Sequence, residues 1–450
     1  MIYAINDEAR MTNDERSSNS RMKKERSERS SRHLDVAIPS SLPLRLIASA
    51  AQLAELLPQI QEVDRVAIDT EADSLHCYRE KLCLLQVSVS ADRTDSSRGE
   101  PGADVVAGIG DAGWEQRGSK AGRDQRSQLQ PRDYVIDPLA NVDLAPLCAV
   151  LEEKEIVLHG ADYDLRLLRR SLNFVARRIF DTVIAARLLG IREFSLTALL
   201  ERYFEIKLTK GSQKANWAQR PLPARMAEYA INDTHYLLPL AERLETELRR
   251  RHRLKWFHQS CQRALEQAAV DRTRDVDEAW RIPGAGVLRG QAAAVLRELW
   301  KWRESEARVA DRPAFHILQN SELLNAAESF AAGEVPDYRH FSGRRRQAFR
   351  EAAERALRLP EEDWPVVRRR FGMRASAESL RRMAELRHLR DHAARNLDLE
   401  PSFVAPRSTL EAIAADSALA AKLLVPWQRE LLGLSPRGSL GGSSSCETAG

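Results

Sequence analysis

The sequence predicts an α/β layered domain followed by all-helical blocks. Two observations carry this expectation. β-branched runs in the first third give way to strand–helix alternation from residue 143, the pattern of helices layered on a sheet. After about residue 285 the strand signals stop and only helical periodicity remains.

The elements follow in chain order. Leu53, Leu56, Leu57 and Ile60 recur at helical spacing. Arg65-Val66-Ala67-Ile68-Asp69-Thr70-Glu71 is fit for a buried strand, Leu82–Ser90 for a second, and Tyr134-Val135-Ile136-Asp137 for a third stopped by Pro138. Leu144–Leu151 reads as a helix, Glu155–His159 as a strand and Asp162–Leu172 as a helix, with further helices over 181–189, 195–203 and 223–250. Helical blocks near 287–358 and 377–434 share an Arg-rich first helix, a proline turn (Asp311-Arg312-Pro313-Ala314-Phe315 and Leu399-Glu400-Pro401-Ser402-Phe403) and a Leu-x-x-Ala helix, so they read as a diverged repeat. The expected domains are an α/β domain over 41–255 and small helical bundles over 286–360 and 376–435.

Three segments interrupt this pattern. Residues 1–35 are polar and mixed in charge, so a disordered extension is expected through residue 40, and the Gly/Ser-rich tail 436–450 reads the same way. The stretch 91–133 lacks periodicity and is expected to be a disordered insertion.

Composition narrows the function classes. Lys+Arg minus Asp+Glu is 69 − 65 = +4, which excludes a histone-like polycation and permits nucleic-acid binding without arguing for it. Cys77, Cys83, Cys148, Cys261 and Cys446 form no CxxC pair, so neither a disulfide framework nor a zinc knuckle is indicated. With no apolar run of about 20 residues and no signal pattern, no membrane association is expected, and the expected compartment is the cytoplasm.

Acids occur in three places where chemistry can use them. Asp69-x-Glu71 puts two carboxylates on one face of a strand, although taken alone the motif is more simply a strand running into an acidic turn. In His159-Gly160-Ala161-Asp162-Tyr163-Asp164-Leu165 a strand ends and a helix begins; Asp162 suits the cap, while Asp164 can project back toward the sheet. Tyr229 and Asp233 are four apart and share a helix face. Brought to one sheet edge, four carboxylates repel: each pair at about 4 Å costs roughly 1 kcal/mol in water and about 4 at an effective dielectric near 20. Two divalent cations neutralise four charges, and hard oxygen ligands suit Mg²⁺ or Mn²⁺, the clamp used for in-line phosphodiester displacement.

At these residues the chain resembles the ribonuclease D family of 3′→5′ exonucleases, within the tyrosine-type DEDD superfamily. The resemblance runs from about 42 to 250 through Val66–Glu71, Leu82–Val87, His159–Leu165, Phe180-Asp181-Thr182 with Ala186–Gly190, Asn216-Trp217 with Arg220-Pro221-Leu222, and Tyr229-x-x-x-Asp233. It implies a ribonuclease H-like exonuclease domain, a mixed sheet flanked by helices. The helical blocks resemble HRDC modules. It further implies that Asp69, Glu71, Asp164 and Asp233 hold two divalent cations, that Tyr229 orients the attacking water, and that nucleoside 5′-monophosphates leave an RNA 3′ end. His235 follows Asp233 rather than preceding it by five, which disfavours the histidine-type subfamily. Asn216 stands where the family often has aspartate, and the 91–133 insertion, which is atypical, is expected near the acid-bearing edge.

Arg344-Arg345-Arg346 and Arg368-Arg369-Arg370, with Arg381, Arg382, Arg387 and Arg390, offer a phosphate-binding surface, with a solvated helix face as the plain alternative. The expected function is thus a metal-dependent 3′→5′ exoribonuclease acting on RNA such as tRNA precursors, with one site per chain, so that a monomer suffices. A DNA 3′→5′ exonuclease and a non-catalytic RNA-binding scaffold are the alternatives; no GxxxxGK[ST] P-loop accompanies the domain.

Overall fold

The computed structural model describes residues 45–90, 131–208, 215–270, 278–365 and 376–434. The expectations for residues 1–40, 91–130 and 436–450 and for Arg368, Arg369 and Arg370 lie outside the described residues.

A six-stranded mixed sheet runs in the order β1 (Arg45–Ile47), β4 (Arg132–Ile136), β3 (Leu82–Val89), β2 (Arg65–Ala72), β5 (Glu155–Leu158), β6 (Arg178–Asp181). β3 is antiparallel to β2 and β4, while β5 runs parallel to β2 and β6 parallel to β5. The carboxyl ends of β2, β5 and β6 therefore share one edge. Every residue of β3 is buried, as expected of a strand covered on both faces. β1 and β6 have no counterpart among the expected strands; β1, at three residues, is too short to show a period of two.

The sheet's helices are α1 (Ala50–Gln61), α2 (Ala145–Glu152), α3 (Asp162–Leu172), α4 (Thr182–Leu188), α5 (Leu196–Phe204), α6 (Ala224–His235), α7 (Leu237–Arg250) and α8 (Leu254–Ala269). α1 buries Leu53, Leu56 and Ile60, and Ser49 caps it by accepting from the Gln52 N–H. The single helix expected over 223–250 is two helices that meet at Tyr236. Pro239 has no N–H to give the His235 carbonyl, so the ladder breaks there.

The described strands on either side of the expected insertion end at Val89 and resume at Arg132. Val89 pairs with Arg132, and Ser88 with both Ala67 and Asp133, so the hairpin ends that carry it lie at the amino end of β2. Glu71 pairs with Leu84 at the other end. The ordered strand also begins at Arg132, inside the range assigned to the insertion.

The first helical module comprises α9 (Gly290–Ala310), α10 (Ala314–Ile317), α11 (Asn320–Ala331) and α12 (Gly343–Leu357), closed around Leu296, Leu299, Leu323 and Phe349. The second comprises α13 (Ala377–Leu397), α14 (Pro401–Val404), α15 (Arg407–Ala415), α16 (Ala420–Leu423) and α17 (Pro426–Leu431). Their first three helices start at a constant offset: 377 − 290, 401 − 314 and 407 − 320 are each 87. The repeat is real, but its register differs by one from the proline alignment; Ala314, not Pro313, corresponds to Pro401. The second bundle is also less separate than expected. Leu399, Val404 and Trp427 join the core of the sheet domain, and Trp427 stacks on Trp256 with ring centroids 5.1 Å apart. Among the described residues no helix is long and apolar enough to cross a membrane.

Candidate active site

β2 sets the first two acids. Its alternation puts Asp69 and Glu71 on one face, and α6 packs against β2, β3 and β4 on the side where Ser88 reaches Thr234. α6 thereby delivers Asp233. Carboxylate oxygens of Asp69, Glu71 and Asp233 lie within 4.8 Å of one another.

Asp164 arrives differently. Thr70 sits between the two β2 acids, and its hydroxyl donates to Asp164 Oδ1 at 2.5 Å. The helix that carries Asp164 is set by Asp181 at the end of β6, which accepts from the N–H groups of Gly160 (3.1 Å), Ala161 (2.9 Å) and Val183 (2.8 Å). Gly160 takes φ +81°, which a glycine adopts without strain. Asp162 is therefore not the cap: it is the first helical residue, exposed and paired with Arg166 at 2.8 Å. Asp164 projects toward the sheet as expected, and it is nearly fully buried. It is not in the 4.8 Å group, but its charge is felt by all three members.

Burial and mutual repulsion hold these acids toward their neutral forms. Burial first, then Asp164, Asp233 and Glu71, raise Asp69 well above the carboxylate range. Glu71 is pushed up to about 9 by burial and by Asp233 and Asp164. Asp233 is pushed up to about 7 by burial, against a hydrogen bond from Tyr229 that lowers it. Asp164 is pushed up to about 6 by burial, with the Thr70 hydroxyl opposing. An all-oxygen donor set that resists ionising until positive charge arrives fits a hard divalent cation.

Tyr229 lies one turn before Asp233 and packs on Trp217, ring centroids 6.0 Å apart. Arg220 fixes the segment that bears Trp217. It reaches both Asp137 oxygens at 2.7 Å and donates to the carbonyls of Cys83 (2.9 Å) and Trp217 (2.8 Å). Asn216 accepts from the Ala218 N–H at 3.2 Å, a turn contact its amide oxygen makes as aspartate would. His235 is buried and paired with Asp133 at 2.6 Å, away from catalytic use.

Several of the expected arginines sit beside acids. Arg344 and Arg345 lie 3.4 and 3.1 Å from Glu306, and Arg346 lies 2.9 Å from Asp337. Arg390 is not a surface cation; it reaches Asp391 at 2.7 Å and the Ala405 carbonyl at 3.3 Å. Sequence reading missed Thr70 and the Arg220–Asp137 pair, whose only signals were Thr70's place between two acids and Arg220's place in the Arg-Pro-Leu motif.

Comparison with known proteins agrees with this geometry. Residues 125–249 match the 3′-5′ exonuclease family, a span that includes Asp164, Tyr229 and Asp233, and residues 292–332 and 379–417 match the HRDC domain. Ribonuclease D of Zymomonas mobilis is 29% identical over 290 residues, 63% of this chain and 63% of that protein, so the chain spans less than two thirds of it. Ribonuclease D of Pseudomonas paraeruginosa is 28% identical over 317 residues, 67% of this chain and 83% of that protein. Escherichia coli RNase D, described as an exoribonuclease involved in structured RNA processing, has the same fold, with TM-score 0.59 and 20% identity over 88% of this chain and 100% of that one.

Fold and site thus define a 3′-5′ exonuclease domain joined to HRDC modules. The curated proteins named ribonuclease D are the relatives this chain is similar to.

Proposed function

We propose that this protein is a metal-dependent 3′→5′ exoribonuclease that trims structured RNA ends, tRNA precursors among them, in the cytoplasm. One observation carries the reading: acids from β2 and α6 gather within 4.8 Å of one another, with Asp164 tied beside them through Thr70. A scaffold that only bound RNA would gain nothing from carboxylates that repel both each other and phosphate.

Asp69, Glu71, Asp164 and Asp233 together hold two Mg²⁺ or Mn²⁺ ions. Such cations, when bound, supply Lewis-acid charge to the phosphodiester and lower the pKa of water. The chain's own residues do the rest. Thr70 fixes the Asp164 carboxylate, and Trp217 fixes the Tyr229 ring. Tyr229 orients the attacking water. A water oxygen bonds to phosphorus as the bond to the leaving 3′ oxygen breaks. That oxygen takes a proton, so a nucleoside 5′-monophosphate departs and the shortened RNA keeps a 3′-hydroxyl. The set of acids found among the described residues comes from a single chain, so a monomer is sufficient.

The test is product analysis on matched end-labelled RNA and DNA oligonucleotides, with and without Mg²⁺. Stepwise Mg²⁺-dependent release of 5′-monophosphates from RNA is expected. Asp69→Asn and Asp233→Asn should abolish it while leaving RNA binding largely intact. Undiminished cleavage by purified Asp69→Asn protein overturns the site assignment, and equal or faster cleavage of DNA overturns the RNA assignment.

A further inference from the structure

Gln86 lies directly opposite Asp69 across the β2–β3 ladder. Opposed residues of an antiparallel pair project to the same face, with Cβ atoms about 4.5–5.5 Å apart. Ser88, two residues along β3, shares that face, and its hydroxyl donates to Thr234 of α6 at 2.7 Å. Gln86 therefore points into the layer between β3 and α6, where Asp69 and Glu71 meet Asp233. It is 0% exposed, yet neither its amide nitrogen nor its amide oxygen has a hydrogen-bond partner.

Buried polar side chains are nearly always satisfied, because burial strips their hydration and only a protein or water partner replaces it. Leucine or methionine would fill the same space in this strand with nothing left unpaired. Two orphaned atoms beside a ligand carboxylate point to a partner that arrives later. Carboxylates that hold a cation are themselves fixed by hydrogen bonds from neighbouring groups, which set their rotamer and basicity. Asp164 takes such a bond from Thr70, and Asp233 from Tyr229. Gln86 stands in the corresponding place for Asp69.

We propose that Gln86 is a positioning residue whose Nε2–H donates to the Asp69 carboxylate when cations occupy the acid cluster, holding Asp69 in its ligating rotamer. This rests on the metal-dependent reading of the acids. Gln86 touches neither RNA nor water in the reaction; it acts through Asp69.

The test compares the full-length wild type with Gln86→Leu and Gln86→Met, using Mn²⁺ as the probe. Mn²⁺ affinity is read by titration calorimetry, and stability by melting in chelator. Gln86→Leu is expected to melt higher than wild type without metal, since it removes the unpaired amide. It is also expected to bind Mn²⁺ about tenfold more weakly, the loss typical of removing such a support. RNA hydrolysis should fall at low Mn²⁺ and recover at saturation. Gln86→Met keeps the unbranched shape and carries the same affinity comparison if the leucine variant does not fold. Wild-type affinity in the variants, beside a wild type that binds Mn²⁺, identifies Gln86 as a packing residue and overturns the proposal alone. A wild type that binds no Mn²⁺ overturns this proposal and the nuclease reading together.

Discussion

Asp311 and Asp398 are the same residue of a repeated unit, and each seats its module on the exonuclease domain. Each ends a 21-residue helix in the left-handed conformation, at φ 44° and 51°, which aspartate tolerates better than most residues. Asp311 accepts from the Tyr78 N–H at 3.2 Å and lies 3.6 Å from Lys81. Asp398 accepts from Arg192 at 3.1 Å, with its backbone against Gly190. The seats differ in kind. The first, on the loop that follows Glu71, joins these polar contacts to Tyr78 packed at the edge of the module's core; the second is backed by Leu399, Val404 and Trp427 in the core of the sheet domain.

Gly190→Ala tests the second seat. Gly190 has φ +76°, and a Cβ there would stand 2.3 Å from the Asp398 carbonyl oxygen. Backbone strain and the clash together should cost on the order of 2 kcal/mol, read as a lower melting temperature. Gly343→Ala is the control, because nothing lies within 4 Å of its Cβ position. Equal melting of the two variants would refute the account.

The arginine surface is best tested by substitution on the intact chain. Deleting the helical modules would strip Leu399, Val404 and Trp427 from the exonuclease core and confound binding with unfolding. Arg344 has a side chain 76% exposed, against 26% for Arg345 and 34% for Arg346. Arg344→Ala should make the log–log salt slope of RNA binding shallower by about 0.7, the value for one phosphate contact on a single strand. An unchanged slope removes Arg344 from the interface.

Stability without metal should fall as pH rises. Asp and Glu in an unfolded chain titrate near 4. In the folded protein Asp164, Asp233 and Glu71 are pushed up to about 6, 7 and 9, by burial first and by neighbouring carboxylates after it. Within that window the native state keeps protons that the unfolded state has lost, so the slope of unfolding free energy against pH is negative. The acids' contribution is whole below about pH 4 and lost progressively toward about 9. Excess Mg²⁺ binds the ionised forms and should flatten the curve. Melting curves across this range, in chelator and in Mg²⁺, check the point; parallel curves would contradict it.

The sequence made the acids legible because each sits in a local pattern with one physical meaning: two carboxylates a strand period apart, one at a strand-to-helix turn, one a helical turn after a tyrosine. What it concealed depends on pairing across the chain. Asp181, rather than Asp162, satisfies the N–H groups before α3, and this follows only from β6 lying beside β5. The fusion of the second module needs Trp427 to meet Trp256. Arginine runs read as free cations until Glu306 and Asp337 are placed beside them. Short-range periodicity carries none of these relations.

Tyr229→Phe separates a role in chemistry from one in packing. The ring remains, so its contact with Trp217 survives and stability should change little. The hydroxyl is lost, and with it the hydrogen bond that lowers Asp233. Asp233 must ionise to hold a cation, so at subsaturating Mg²⁺ the acid limb of kcat/KM against pH should move to higher pH. On the plateau, where Asp233 is ionised in both proteins, the rate should still drop roughly 10²-fold, because the water loses its orienting partner. A residue that merely packed would leave the limb in place and alter only the melting temperature. An unshifted limb with wild-type plateau activity would remove Tyr229 from the reaction, whereas a shifted limb with a full plateau would confine it to tuning Asp233.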